Sequence, residues 1–298
     1  MTSTSIWSLR TRSLELGPRT LIMGVLNVTP DSFSDGGEFF GCEAAVAHGL
    51  KLLGEGADIL DIGAESTRPG SHAGSSNATV SASEEKKRLL PVIERILKIR
   101  PDAVLSIDTY KSETAAAVLD AGAEIINDVS GFAWDPHLAE VCARSGSGVV
   151  ISHTRGRPDE WRTLPFLNGN EVLDQVRAGL SVSLSIAQRA GIAPDTIVID
   201  PGYGFGKRFD ENYAVLARQK ELLAFSRPLL CALSRKSFLG HTLAPLFNNE
   251  AAPVEAREIA SLAAMTAAIL GGASIVRVHA VRPALEAVQI ADAICAAM

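Results

Sequence analysis

The sequence predicts an α/β protein, a (β/α)8 TIM barrel preceded by an N-terminal β-hairpin. Eight short apolar runs, typical of buried parallel strands, alternate with helical patterns along the 298 residues. A weak internal repeat supports this count, because Gly56, Gly122 and Gly272 each end a predicted helix and lead through an alanine into a strand. No Pro- or Ser-rich linker divides the chain, so we expect one domain over 1–298. A doubly wound open sheet is the alternative arrangement.

The hairpin is predicted at 6–16 and the first barrel strand at 20–27. The other strands are predicted at 57–63, 104–107, 123–126, 148–152, 196–199, 229–233 and 274–278. Ser81 and Glu84 have the spacing of a capping box, which places the start of the second helix. The helices are predicted at 43–55, from this cap to 99, and at 112–121, 136–145, 170–190, 210–224, 253–270 and 282–297.

Composition and charge exclude several classes of protein. The net charge is −6, and no clustered basic face of the kind that binds nucleic acid is visible. The four cysteines lie far apart without a C-x-x-C pair, which predicts buried thiols in a reducing compartment. The N-terminus lacks an apolar signal-peptide core, and the uncharged stretch 259–276 is broken by two glycines. We therefore expect a cytoplasmic protein without a membrane span.

A polar residue follows or ends each predicted strand. In chain order these residues are Asn27, Asp61, Asp108, Asn127, His153, Asp200, Lys236 and the pair Arg277 and His279. A strand-end aspartate often caps the next helix, which would account for any single member of the set. Because the carboxyl ends of barrel strands meet at one mouth, where barrel active sites lie, the whole set predicts one polar pocket.

The groups in this pocket suggest its ligand. The pocket contains carboxylate and amide groups from Asp108, Asn127 and Asp200. These groups can form hydrogen bonds with the ring donors and acceptors of a flat heterocycle. Positive groups for an anion such as a diphosphate come from Lys236, Arg277 and His279. The pocket is thus predicted to bind a heterocycle together with a diphosphate.

The stretch 21–37 combines a buried strand with a polar loop. Asn27 ends the strand, and the loop then carries Asp31, Phe33 and Asp35. Asn27 with one of the two aspartates would supply the hard oxygen ligands that Mg²⁺ prefers. The composition of the loop fits either a ligand-binding segment at the carboxyl end of a strand or a solvated connection with an Asx-type turn. The sequence leaves open which aspartate reaches the metal.

Competing motifs do not fit. The run from Gly202 to Lys207 resembles a phosphate-binding loop, but Pro201 replaces the first glycine of that motif and Arg208 replaces its Ser/Thr. No set of zinc ligands accompanies His153 and His279.

Seven motifs, in order and over nearly the whole chain, resemble those of the dihydropteroate synthase family. They are MGVLNVTPDSFSDGG (23–37), DIGAESTRPG (61–70), SIDT (106–109), INDVSG (126–131), IDPGYGFGK (199–207), SRKSFLG (234–240) and VRVH (276–279). The resemblance implies a (β/α)8 barrel, usually a homodimer. It also implies condensation of (7,8-dihydropterin-6-yl)methyl diphosphate with 4-aminobenzoate, giving 7,8-dihydropteroate and diphosphate in folate biosynthesis.

The resemblance also implies roles for individual residues. Pterin contacts would come from Asp108, Asn127, Asp200 and Lys236. Diphosphate contacts would come from Thr67, Arg277, His279 and Asn27 with Mg²⁺, which Asp35 would join on loop closure. The aminobenzoate wall, where sulfonamides would also bind, would consist of Phe33, Arg68, Pro69 and Ser237. Of these, Asp108, Lys236 and Arg277 are expected to act in catalysis.

The chain departs from the family pattern in three places. Ser152-His153-Thr154-Arg155-Gly156 stands where the family usually has Met-His-Met-Gln-Gly, Ala280 replaces an aspartate, and 74–77 looks like an insertion. A pterin-binding paralogue with another substrate, or a methyltetrahydrofolate-type methyltransferase barrel, is the alternative function. A methyltransferase has no use for a diphosphate site, which Asn27, Thr67 and Arg277 would form.

Overall fold

Eight parallel strands close into a barrel in the computed structural model, which describes residues 5–28, 37–67, 70–75 and 80–298. Each strand pairs with the next along the chain, and the last pairs with the first. The barrel strands are β3 (Leu21–Asn27), β4 (Ile59–Gly63), β5 (Val104–Asp108), β6 (Ile125–Asp128), β7 (Gly148–Ser152), β8 (Ile197–Asp200), β9 (Leu229–Cys231) and β10 (Ala273–Val278). The predicted fold class is confirmed.

Helices surround the barrel. They are α1 (Gly37–Gly54), α2 (Ala82–Ile99), α3 (Ser112–Asp120), α4 (Leu138–Ser145), α5 (Gly169–Ala190), α6 (Phe209–Arg218), α7 (Ser237–Thr242), α8 (Glu258–Leu270) and α9 (Val281–Ala297). The predicted hairpin is present as β1 (Ser5–Ser8) and β2 (Ser13–Leu16), an antiparallel pair that precedes the barrel.

The inside of the barrel changes from apolar to polar along the strands. One continuous apolar cluster contains an inward residue from each strand: Met23, Ile59, Val104, Ile125, Val150, Val198, Leu230 and Ile275. Side chains alternate between the two faces of a strand, so the residues two positions later also point inward. Those residues are Val25, Asp61, Ser106, Asn127, Ser152, Asp200, Ala232 and Arg277. All but Val25 and Ala232 are polar, so the carboxyl end of the barrel is built for polar contacts.

The hairpin closes the apolar end. Trp7 is fully buried in the same cluster, and its indole Nε1 donates to the Thr196 carbonyl at 2.8 Å. A Cβ on Gly148, the first residue of β7, would lie 2.5 Å from a methyl carbon of Leu9. Glycine is therefore required there for the hairpin to approach the strand.

Three helix predictions need correction. Ser81 caps α2 through Glu84 N as predicted, but the Glu84 carboxylate binds Arg88 instead of closing the box. The helix predicted at 210–224 ends at Arg218, where the chain tightens into a 3₁₀ turn around buried Gln219. The helix predicted at 253–270 begins at Glu258 after a 3₁₀ turn, and α7 was missed because it spans only six residues.

Two other predictions concern burial. All four cysteines are unpaired. Cys142 and Cys231 are buried as predicted, whereas Cys42 and Cys295 are only half-buried, so the prediction is wrong for these two. The uncharged stretch 259–276 forms most of α8 and then β10. Within the described ranges, no helix is long and apolar enough to cross a membrane.

The hairpin's contribution can be tested by truncating its buried tryptophan. Trp7→Ala is expected to lower the free energy of unfolding by about 3–5 kcal/mol, because it leaves a cavity inside the barrel. Urea denaturation measures the change. Ile6→Ala is the matched control, since Ile6 is 51% exposed on the same strand. A loss no greater than that of the control would show that the hairpin does not stabilise the barrel.

Candidate active site

A fully buried carboxylate, Asp61, organises the polar end of the barrel. Ser106 Oγ donates to its Oδ1 at 2.7 Å, while Asn127 Nδ2 and Arg277 Nε donate to its Oδ2 at 3.0 and 2.6 Å. These three donors come from strands on either side of β4. Charge-assisted bonds of this kind are the strong ones in a protein interior. Asp61 therefore fixes the positions of two groups predicted to bind substrate, Asn127 and Arg277.

Arg277 connects Asp61 to a second carboxylate. Its Nη2 donates to Asp108 Oδ2 at 2.9 Å, and the arginine and Asp108 side chains remain 17% and 19% exposed. Burial raises the pKa of Asp108 to about 7, against the opposing pull of Arg277. The guanidinium thus lies between two carboxylates and still reaches the mouth.

A second polar group lies across the mouth at Asp200. Its Oδ1 accepts from Gly202 N at 2.8 Å, and its Oδ2 accepts from Ser152 Oγ at 3.4 Å. Lys236 Nζ lies 3.9 Å from the centre of the Phe205 ring, and burial lowers the pKa of this lysine to about 8 although Asp200 raises it. The departure at Ser152 therefore places a hydroxyl, instead of a thioether, against the Asp200 carboxylate.

The glycine-rich run from Gly202 to Lys207 forms a tight loop beside this group. Lys207 Nζ donates to the carbonyls of Gly202 and His153 at 2.7 and 3.2 Å, and burial lowers its pKa to about 7. Gly202 has φ +69°, and a Cβ there would lie 1.9 Å from the His153 carbonyl oxygen. The ammonium group of Lys207 thus donates to backbone carbonyls of this loop and of His153.

The remaining predicted residues lie around the rim. Asn27 is exposed at the end of β3, and strand pairing places it level with Gly63, Asp108 and Asn127. His279 Nδ1 lies 3.0 Å from Ser234 Oγ. Thr67 is half-buried after β4, and Ser237 is exposed at the start of α7. Phe33, Asp31, Asp35, Arg68 and Pro69 lie outside the described residues.

One predicted member of the mouth points elsewhere. His153 is buried against α5, where a Cβ on Gly179 would lie 2.4 Å from its ring. It follows inward-pointing Ser152, so the alternation of the strand turns it outward. From the sequence, Asp61 was predicted to lie at the mouth but was given no contact of its own, and Ser106 and Ser152 were not assigned to the site. Counting in steps of two from the apolar cluster would have found that both serines also point inward.

The described side chains at the mouth are compatible with Mg²⁺ but do not by themselves form a metal centre. In the described part of the chain, no group of three or more His, Cys, Asp or Glu side chains could hold a metal ion. Mg²⁺ commonly binds through one or two protein oxygens, with water and substrate phosphates completing its shell. The exposed amide of Asn27 fits that requirement.

Comparisons with known proteins show the family to which the chain belongs. The pterin binding enzyme family matches residues 23–279. The chain is 38% identical to the dihydropteroate synthase of Synechocystis over 93% of this chain and 91% of that one. It is also similar to the Xanthomonas albilineans enzyme solved with 4-aminobenzoic acid, at 39% identity and a TM-score of 0.85 over 99% of both chains. The Yersinia pestis enzyme in complex with a sulfonamide drug has 37% identity and a TM-score of 0.85, over 98% and 99% of the two chains.

The barrel and its polar mouth define an enzyme of the pterin-binding class. The family match covers most of the chain, and the relatives are matched over nearly their whole length. Within that class, the chain belongs to the dihydropteroate synthase family.

The contribution of Asp61 to the structure of the site can be tested by removing its charge. Asp61→Asn is expected to destabilise the protein by about 3–5 kcal/mol, because the buried guanidinium of Arg277 then faces a neutral amide and loses the charge of its partner. Urea denaturation measures the loss. Glu286→Gln is the control, since its bond to Arg282 is exposed at the surface and should contribute less than about 1 kcal/mol. Equal effects of the two substitutions would contradict the assignment.

Proposed function

We propose that this chain condenses (7,8-dihydropterin-6-yl)methyl diphosphate with 4-aminobenzoate, forming 7,8-dihydropteroate and diphosphate in folate biosynthesis. The observation that carries the proposal is Arg277, held between Asp61 and Asp108 at the mouth, with Asn127 on the same carboxylate. This arrangement combines a cation for the diphosphate with polar groups for a heterocycle. Membership of the dihydropteroate synthase family supports the same reaction.

The pterin is proposed to lie in the polar end of the barrel. Its amino-pyrimidinone edge presents donors that a carboxylate can accept, and Asp200 is suited to that contact because Gly202 and Ser152 hold it in place. Asn127 is fixed by Asp61 and offers its amide oxygen. Lys236 supplies a donor on the other side, beside the ring of Phe205.

The diphosphate is proposed to lie above Arg277 and His279, with Thr67 at the rim. Asn27 would hold Mg²⁺, and Asp35 would join it if its loop closes. When bound, Mg²⁺ neutralises charge on the diphosphate and so makes it a better leaving group. Arg277 retains both carboxylate contacts in this arrangement, so its position is set before the substrate arrives.

The reaction breaks the bond between the pterin methylene carbon and the diphosphate oxygen, which keeps the electron pair. The positive charge left on the methylene is shared with the pterin ring, and the Asp108 carboxylate faces it. The nitrogen of 4-aminobenzoate then bonds to this carbon and loses a proton. An aromatic amine attacks in its neutral form, so the site requires no strong general base. Exclusion of water by the loops protects the cation.

The aminobenzoate is proposed to lie between the loops at the rim. Ser237 is exposed at the start of α7 beside Lys236, and Phe33, Arg68 and Pro69 complete the proposed wall. We also propose that sulfonamides occupy this position, as supported by the Yersinia pestis complex.

A cytoplasmic location and a homodimer are part of the proposal. Four unpaired cysteines are compatible with a reducing compartment. Exposed apolar side chains on the connection between β9 and β10 support a contact between subunits: Leu246, Val254 and Ile259.

The reaction is tested by diphosphate release. With Mg²⁺, the protein is expected to release diphosphate in step with dihydropteroate, only when both substrates are present, and to lose this activity with a chelator. Arg277→Met should lower kcat/KM by about 10²–10³. Arg282→Met, which removes an exposed arginine, is the control. Diphosphate release without 4-aminobenzoate, or pterin binding without turnover, would favour a paralogue with another substrate.

The raised pKa of Asp108 predicts a pH dependence. Since the ionised form faces the cation, kcat/KM should rise between pH 6 and 8 with a midpoint near the pKa of about 7. Between about 4 and 7 the folded protein binds more protons at this group, so its contribution to stability decreases as pH rises through that window. Asp108→Asn should flatten the residual profile. An unchanged rise in that variant would assign the titration to another group or to the substrate.

A further inference from the structure

A buried ionic cluster lies beneath the rim segment, by which we mean the described residues 64–67 and 70–75 that follow β4. Lys111 Nζ lies 2.5 Å from Glu65 Oε2 and 3.3 Å from Glu85 Oε2. The side chains of the two glutamates are 5% and 1% exposed, and that of the lysine 11%. The reaction described above uses none of the three.

The chemistry of this cluster does not suggest a purely stabilising role. Burying an ion pair costs desolvation, so apolar side chains of the same volume often stabilise a protein equally well. Burial raises the pKa of Glu85. Glu65 Oε1 is buried and accepts no hydrogen bond from any described residue, so the carboxylate is held through its other oxygen alone. We therefore explain the buried charge of Glu65 by the residues that its carboxylate holds in place.

Tyr110 connects the cluster to the far end of the segment. Its hydroxyl donates to Glu65 Oε2 at 3.0 Å and accepts from Gly74 N at 2.8 Å. Gly74 has φ +75°, and a Cβ there would lie 2.5 Å from the ring of Trp134, whose edge meets Tyr110. One tyrosine therefore ties residue 65 to residue 74.

Two further backbone contacts fix the segment. Arg88 Nη1 donates to the Ala64 carbonyl at 3.0 Å, and Gly70 N donates to the Pro158 carbonyl at 2.9 Å. Thr67 lies between these points. The segment is thus attached at its start, middle and end, and only the Glu65 and Tyr110 contacts use side chains of the cluster.

We propose that Glu65, held by Lys111 and Tyr110, is a positioning residue that fixes residues 64–67 and 70–75 for the binding of 4-aminobenzoate. The inference rests on the proposed function, since Thr67 and the next two residues, Arg68 and Pro69, are those assigned to the diphosphate and aminobenzoate. The pterin pocket is built from strands instead, through Asp61. Loss of Glu65 should therefore affect one substrate and not the other.

The test is calorimetric binding of two ligands to the full-length protein. In Glu65→Ala, the Kd for 4-aminobenzoate, measured with Mg²⁺ and diphosphate present, is expected to rise at least tenfold. The Kd for a pterin that lacks the diphosphate should change less than twofold. Glu65→Gln should restore aminobenzoate binding to within about threefold, because its amide oxygen can accept from both Lys111 and Tyr110.

A second buried glutamate provides the matched control. Glu124, at the hairpin end, is 4% exposed at its side chain and accepts from Thr11 N at 2.9 Å. Glu124→Ala should lower the melting temperature without changing either Kd by more than twofold. If Glu65→Ala does not fold, Tyr110→Phe replaces it, with an expected rise of at least threefold in the aminobenzoate Kd.

The outcomes separate the two claims. Wild-type turnover reports on the proposed function. If the wild type turns over and the Glu65 or Tyr110 variant binds aminobenzoate within twofold of it, the positioning role is wrong and the function stands. Equal weakening of both ligands would show a general structural role and would also overturn the proposal. A wild type that neither binds aminobenzoate nor turns over contradicts both.

Discussion

The ion pair between Asp61 and Arg277 is the interaction on which the rest of the site depends. Both groups lie inside a barrel whose other half is apolar, so neither can be solvated well without its partner. Breaking such a pair is costly because it leaves an uncompensated buried charge. The same carboxylate also holds Asn127 and Ser106, so β4 fixes side chains from β5, β6 and β10. The positions of the substrate groups follow from this one buried charge.

The two ends of the barrel differ in function: the amino end stabilises the fold, and the carboxyl end carries the polar groups of the site. At the amino end, the hairpin inserts Trp7 among apolar side chains and closes the interior. At the carboxyl end, six of the eight inward positions are polar, and Thr67 after β4 and Ser237 at the start of α7 lie at the rim. Barrel enzymes commonly show this division. Here it explains why the hairpin can be altered for a stability experiment while the mouth remains intact.

Much of the fold was predictable from the sequence, and the site only in part. The eight apolar runs, and the glycines that end the helices before three of them, predicted the barrel because both patterns are local in the sequence. The directions of side chains were harder, because they depend on the register of each strand. His153 was placed in the mouth although it packs against α5, and Asp61 was placed there without the contact by which it holds Arg277. Gln219, which ends α6 early, acts through distant contacts with Tyr203 and Ala268 that no local pattern reveals.

A crystal structure with the pterin diphosphate and Mg²⁺ bound would show whether the substrate lies where we propose. We expect the amino-pyrimidinone edge to lie within hydrogen-bonding distance of Asp200. We also expect the diphosphate to contact Arg277 while the Nε atom of this arginine remains hydrogen-bonded to Asp61. A pterin bound outside the ring of strand ends would contradict the account. So would an arginine that leaves Asp61 to reach the diphosphate.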